Sequence, residues 1–143
     1  MPKGRASAWL IAVPLAAVLS VVGLAGCDSG GGEPEGPTVA VLMTDQDSFS
    51  PVNVDVHVGD VVQWTNEDTD PHTANADLAN PVAGGPNSAF QFPAGLPTGA
   101  HYRWQCPNVP VGTIFYYHCC NHGMAGPGNA LGAGMSGSIT VVG

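Results

Sequence analysis

Hydrophobic and polar positions alternate most cleanly between Val52 and Val58. Val52, Val54, Val56 and Val58 share one face, and Asn53, Asp55 and His57 the other. This period of two marks a strand buried on one side, with His57 exposed. Gly59-Asp60 then supplies a turn, and Val61–Asn66 reads as the returning strand. Thr38–Thr44 is a further apolar run. His72–Ala76, Ser88–Phe92, Tyr102–Cys106, Thr113–Cys119 and Ser136–Val142 are the other candidates, short and bounded by Pro, Gly, Asn or Asp. No helical stripe interrupts them. About eight short strands predict an all-β, antiparallel β-sandwich. Two Gly/Pro-rich stretches, 80–87 and 123–134, are expected to be loops.

The first residues carry a different pattern. Lys3 and Arg5 precede an uncharged Ala/Val/Leu-rich run from Ala6 to Gly26, broken by Pro14. A basic head and an apolar run form a secretory signal. Length alone leaves a membrane-spanning anchor open, since a spanning helix takes about 20 apolar residues. The ending Leu24-Ala25-Gly26-Cys27 decides for the signal, because it resembles the bacterial lipobox, in which the chain is cut before the cysteine and that cysteine is acylated. Residues 1–26 are thus expected to be a lipoprotein signal peptide. Residues 27–37, which include DSGGGEPEGP, have the composition of a flexible linker anchored by lipid at Cys27. Residues 38–143 form one domain of about 105 residues, outside the cytoplasm, on the cell surface or the periplasmic face of a membrane.

Removing the signal changes the charge. All 11 Asp and Glu follow Cys27, against Arg103 as the one Lys or Arg, so the mature side chains sum to −10. Such a surface repels nucleic acid and anionic lipid and attracts basic partners.

The chemistry lies in Tyr117-His118-Cys119-Cys120-Asn121-His122. A thiolate and an imidazole three residues apart converge on one metal if the chain turns between them, and this pair suits copper or zinc. A third ligand must come from elsewhere in the chain. His72, after an apolar strand and the acidic turn Glu67-Asp68-Thr69-Asp70, is the best candidate. Met135, directly before the last strand, offers a weak axial sulfur. Two His and one Cys with a distant Met form the blue-copper electron-transfer site.

These two segments resemble those of plastocyanin-type cupredoxins, the type 1 blue-copper proteins. Val58-Gly59-Asp60-Val61-Val62-Gln63-Trp64-Thr65-Asn66 followed by Pro71-His72-Thr73 is similar to the first ligand segment. Tyr117-His118-Cys119-x-x-His122 followed by Gly134-Met135-Ser136-Gly137-Ser138-Ile139-Thr140-Val141 is similar to the second. The resemblance spans about 100 residues. It implies a Greek-key β-sandwich holding one copper ion, Cu(I) or Cu(II), with His72, Cys119, His122 and Met135.

One departure concerns the axial methionine, which in the family follows the second histidine by about five residues. Here Met135 lies 13 residues beyond His122, and Met124 only two. The Gly-Met-x-Gly setting favours Met135. The intervening Gly, Ala and Pro residues can loop out at small entropic cost, about 0.6 kcal/mol per doubling of length. Met124 is the alternative.

The remaining cysteines follow from counting. Adjacent strand residues face opposite ways, so Cys120 is not expected to join Cys119 on one metal. With Cys27 acylated and Cys119 on copper, Cys106 and Cys120 remain, and outside the cytoplasm they are expected to pair as a disulfide.

The resemblance implies an electron carrier and not an enzyme, in keeping with a sequence that reads as one domain, lacks paired His-x-His motifs and shows no second metal site. Its implied partners are a redox donor and an acceptor, reached as a monomer, the acidic group Glu67, Asp68 and Asp70 being either a solvated turn or a dock for a basic face. A copper storage or delivery protein is the alternative.

Overall fold

The structure, a computed structural model, describes residues 32–78 and 83–143. The expected signal peptide and the lipidation site Cys27 lie outside the described residues.

Among the described residues, eight strands and one helical turn follow in order: β1 (Thr38–Thr44), β2 (Ser48–Ser50), β3 (Asn53–Val56), β4 (Val61–Asn66), β5 (Asn75–Ala76), α1 (Ser88–Gln91), β6 (His101–Gln105), β7 (Ile114–Met124) and β8 (Ala133–Val141). They form two four-stranded sheets, ordered β2-β1-β4-β6 and β3-β8-β7-β5. The sheets are mixed, where sequence predicted antiparallel pairing throughout. β1 runs parallel to β4, with Thr38 opposite Val61, and β3 parallel to β8. The cause is the path: the chain leaves β2, crosses to the other sheet as β3, and returns as β4 in the direction of β1.

The core lies between the sheets. Trp64 and Tyr117 meet edge to face at 5.3 Å, Phe49 packs on Tyr117 at 4.8 Å, and Trp104 on Phe115 at 5.1 Å. Along β7, Phe115, Tyr117 and Cys119 point inward, two residues apart as a strand requires.

Three local expectations change. Val54 and Val56 are buried, but Val52 and Val58 lie beyond the ends of β3 and are 40% and 46% exposed. Ser88–Phe92 is a helical turn and not a strand. Ser88 N–H donates to Ala74 O, its hydroxyl accepts from Ala74 N–H, and Ala89 N–H donates to Asn75 Oδ1. These bonds to a distant segment hold the turn. Finally, the stretch 123–134 is not all loop, because β7 and β8 extend into it and pair Met124 with Ala133.

Candidate metal centre

β4 ends at Asn66, whose buried amide shapes the next turn. Its Nδ2 donates to Asp70 O and to Leu96 O, both at 2.8 Å, and its Oδ1 accepts from Asp68 N–H at 2.9 Å. His72 then forms a two-way backbone bridge with Leu96. Gly95 makes this approach possible: it sits at φ +90°, and a Cβ there would lie 3.0–3.2 Å from Pro71 and the His72 nitrogen. His72 is thereby fixed with its ring completely buried.

The second segment is placed by an irregularity in the β7–β8 pairing. His118 pairs with Ser136, yet the next pair is Gly123 with Gly134. Five steps along β7 are matched by two along β8, so three extra residues arch out between them. Such a bulge bends its strand and re-aims side chains. The arch contains Cys119, Cys120, Asn121 and His122. It is tied to the His72 loop by Cys120 N–H, which donates to Thr73 Oγ1 at 2.8 Å, and by Thr73 N–H, which points at Cys119 Sγ at 3.4 Å.

Three donor atoms converge as a result. His72 Nδ1 lies 3.0 Å from His122 Nδ1, and Cys119 Sγ lies 3.7 Å from the first and 3.8 Å from the second. Ligands bonded to one ion at roughly 2.0–2.3 Å stand about 3–4 Å apart. The three side chains fit a single metal without rearrangement. Cys119 and His72 are buried, and His122 is partly exposed.

The ring of His72 is oriented from behind. Its Nε2 lies 2.9 Å from Asp68 Oδ2. Asp68, expected in a solvated turn, is instead 8% exposed and is held by Thr69 N–H at 2.6 Å. The hydrogen bond to His72 keeps its carboxyl below the usual carboxylate range; burial opposes this, and N–H donors from Thr69 and Asp70 assist. Asp47, at the tip of the β1–β2 turn with φ +50°, places Oδ1 3.4 Å from His122 Nδ1. His118 turns away from the donor set, as alternation predicts, and its Nδ1 makes a short contact with the buried Asp77 Oδ1. The other oxygen of Asp77 accepts from Gly126 N–H at 3.0 Å, which fastens the β7–β8 hairpin to the sheet. Sequence reading named Asp68 and Thr73 without their roles at the site and missed Asp77. Only the acid four residues before His72 left a readable signal.

The methionines separate by burial. Met135 is completely buried, and its carbonyl presses so closely on Gly123 that a Cβ there would lie 2.2 Å from it. Met124 is 67% exposed. The cysteines correct an expectation: Cys106 and Cys120 are both free. Cys106 N–H donates to Asp60 O, before β4 begins, whereas Cys120 is tied to Thr73, after β4 has ended. The six residues of β4 between them span roughly 20 Å, and a disulfide needs Cα atoms within about 7 Å. Cys119 is buried and Cys120 exposed, as expected for neighbours on a strand.

Thiolate and imidazole donors suit copper, and a buried thioether on the adjacent strand adds a second soft donor type. The residues fit one copper ion. Fold and donor set together define a cupredoxin-type Greek-key β-sandwich with a candidate mononuclear copper centre.

No family model matches the chain. Among solved structures it is similar to the copper-containing nitrite reductase of Thermus scotoductus SA-01, with TM-score 0.53 and 22% identity over 76% of this chain and 23% of that one. It is also similar to a Cu(I) amicyanin variant (0.48, 16%, 73% and 81%) and to a purple cupredoxin from Nitrosopumilus maritimus (0.46, 21%, 72% and 98%).

Proposed function

We propose that this protein is an extracytoplasmic electron carrier, anchored by lipid on Cys27, that holds one type 1 copper ion with His72, Cys119, His122 and axial Met135. The observation that carries the reading is the convergence of three donor atoms within 3.8 Å although His72 lies 47 and 50 residues from its two partners in sequence. When bound, copper would supply a one-electron Cu(I)/Cu(II) couple.

The chain's own residues supply the rest. A carrier works fastest when its ligands move little between oxidation states. His72 is locked by Asp68 and Leu96, and Cys119 is buried and faces Thr73 N–H. His122 alone among the three is partly exposed, at 28% of its side chain, which suits an electron exit. The burial of the other two supports a carrier over an enzyme, since a substrate needs an open path to the metal. Asp47 and Asp70 stand exposed around this end, and they favour partners that dock with a basic face.

A visible spectrum of the Cu(II)-loaded protein tests the reading. An intense band at about 600 nm, as the resemblance implies for a His/Cys thiolate centre, is expected. Cys119→Ser should abolish it. Retention of colour and metal by that variant would end the proposal, and colourless copper uptake by the native chain would favour storage or delivery.

A further inference from the structure

Residues 27–37 have the composition of a free tether, yet the described part of that segment lies against the domain. Tyr102 and Trp104 of β6 point into the core, so His101, Arg103 and Gln105 point out. All three hold the segment. His101 Nε2 lies 3.1 Å from Glu33 Oε1, and the Arg103 guanidinium lies 3.6 Å from Glu33 Oε2 and 3.3 Å from Thr38 Oγ1. Gln105 Nε2 donates to Glu35 O at 2.9 Å. Gly36 packs so closely that a Cβ would lie 2.6 Å from Gly59 O. Arg103, the one Lys or Arg after Cys27, is committed to this strap.

The strap changes where the chain leaves the domain. β1 starts with Thr38 beside Val61, at the end of β4 remote from the metal ligands. Glu33 instead reaches His101, which pairs with Thr65 where β4 runs into the His72 loop. Docking therefore carries the exit point about 14 Å along β6, to the metal end. Glu33 lies six residue steps beyond Cys27, at most about 20 Å of chain. Without docking, eleven residues, about 38 Å, would lead to the opposite end.

We infer that the strap turns the His72–Cys119–His122 end of the domain toward the membrane that holds the Cys27 lipid, so that its partner is a redox protein embedded in that membrane and not a soluble one. The inference rests on the anchored-carrier reading above. Arg103, with its side chain only 18% exposed, reaches both Glu33 and Thr38 and so carries most of the docking, and because it points away from the core its removal should free the strap without unfolding the domain.

The test uses the full lipidated chain, loaded with Cu(II), in vesicles of zwitterionic phosphatidylcholine, which the acidic surface does not repel. The paramagnetic ion should enhance phosphorus-31 relaxation of the lipid headgroups. Arg103→Ser should weaken that enhancement several-fold and speed cleavage after Glu35 by a glutamyl endopeptidase, with metal content and spectrum unchanged. His101→Ser, at an exposed position, serves as a second variant. Equal enhancement and equal cleavage in native and variant chains would overturn the inference. A Cys27 peptide lacking the acyl mass would overturn the anchored reading and this inference with it, whereas failure to bind copper would overturn the carrier reading.

Discussion

Asp68 Oδ2 lies 2.9 Å from Nε2 of His72, on the ring nitrogen opposite the one that faces Cys119 and His122. The contact fixes which nitrogen is free for a metal. It also holds the ring against rotation.

Outer carboxylates of this kind strengthen metal binding by roughly 10–100-fold. Asp68→Asn should weaken Cu(II) binding by about that factor, measured by competition with a chelator, while the fold persists. The variant should also alter acid stability. Asp68 is depressed below its ordinary value of 3.8, chiefly by His72. A depressed carboxylate adds stability above its unfolded value and loses it as pH falls through the folded one. The metal-free native protein should therefore lose stability as pH drops below about 4, and Asp68→Asn should flatten that slope in urea titrations. Parallel slopes would show that the contact contributes nothing.

The two methionines should behave oppositely. Met135→Leu conserves volume in a buried site, a change that costs under about 1.5 kcal/mol. It should keep the blue colour and raise the reduction potential in voltammetry, because a thioether donor is lost. Met124→Leu, at an exposed position, should change neither. If the potential follows Met124 instead, the axial assignment is wrong.

Thiol chemistry should distinguish three cysteines of the domain. In the metal-loaded protein Cys120 should react promptly with a thiol reagent. Cys106 should react only on unfolding, since burial, with the nearby Asp60 assisting, raises its thiol and lowers its thiolate fraction. Cys119 should become reactive when copper is removed. Absence of any rapid thiol would mean that Cys120 is bonded after all.

Gly123→Ala should damage fold and site together. The new methyl group would collide with the Met135 carbonyl, a backbone atom that cannot swing aside. Overpacking of this kind costs about 1–3 kcal/mol, and the displaced hairpin should carry His122 with it. A lowered thermal midpoint with reduced copper affinity is expected. Native copper affinity in a fully folded variant would show that the hairpin does not position His122.

The parts of the site legible in sequence were those fixed by local chemistry. Cys119 and His122 stand three apart at the end of an alternating strand, and His72 follows a strand and a polar turn. Strand alternation also separated Cys119 from Cys120 and turned His118 away. Misreadings arose where distant segments meet. Ser88–Phe92 has strand-like composition, but bonds to Ala74 and Asn75 curl it into a helical turn. Counting cysteines paired Cys106 with Cys120 because a count carries no distance, and β4 lies between them.

By itself, the sequence determined most of the strands, though not β2 at Ser48–Ser50, together with the all-β architecture and the identity of the thiol and imidazole donors, because each depends on residue type and spacing over a few positions. The tertiary structure alone decided the three-residue excess of β7 over β8, the burial of Asp68 behind His72, the burial of Met135 against Gly123 and the docking of Glu33 on β6. Those features depend on register between strands far apart in the chain, where a shift of one residue reverses the face that every side chain presents.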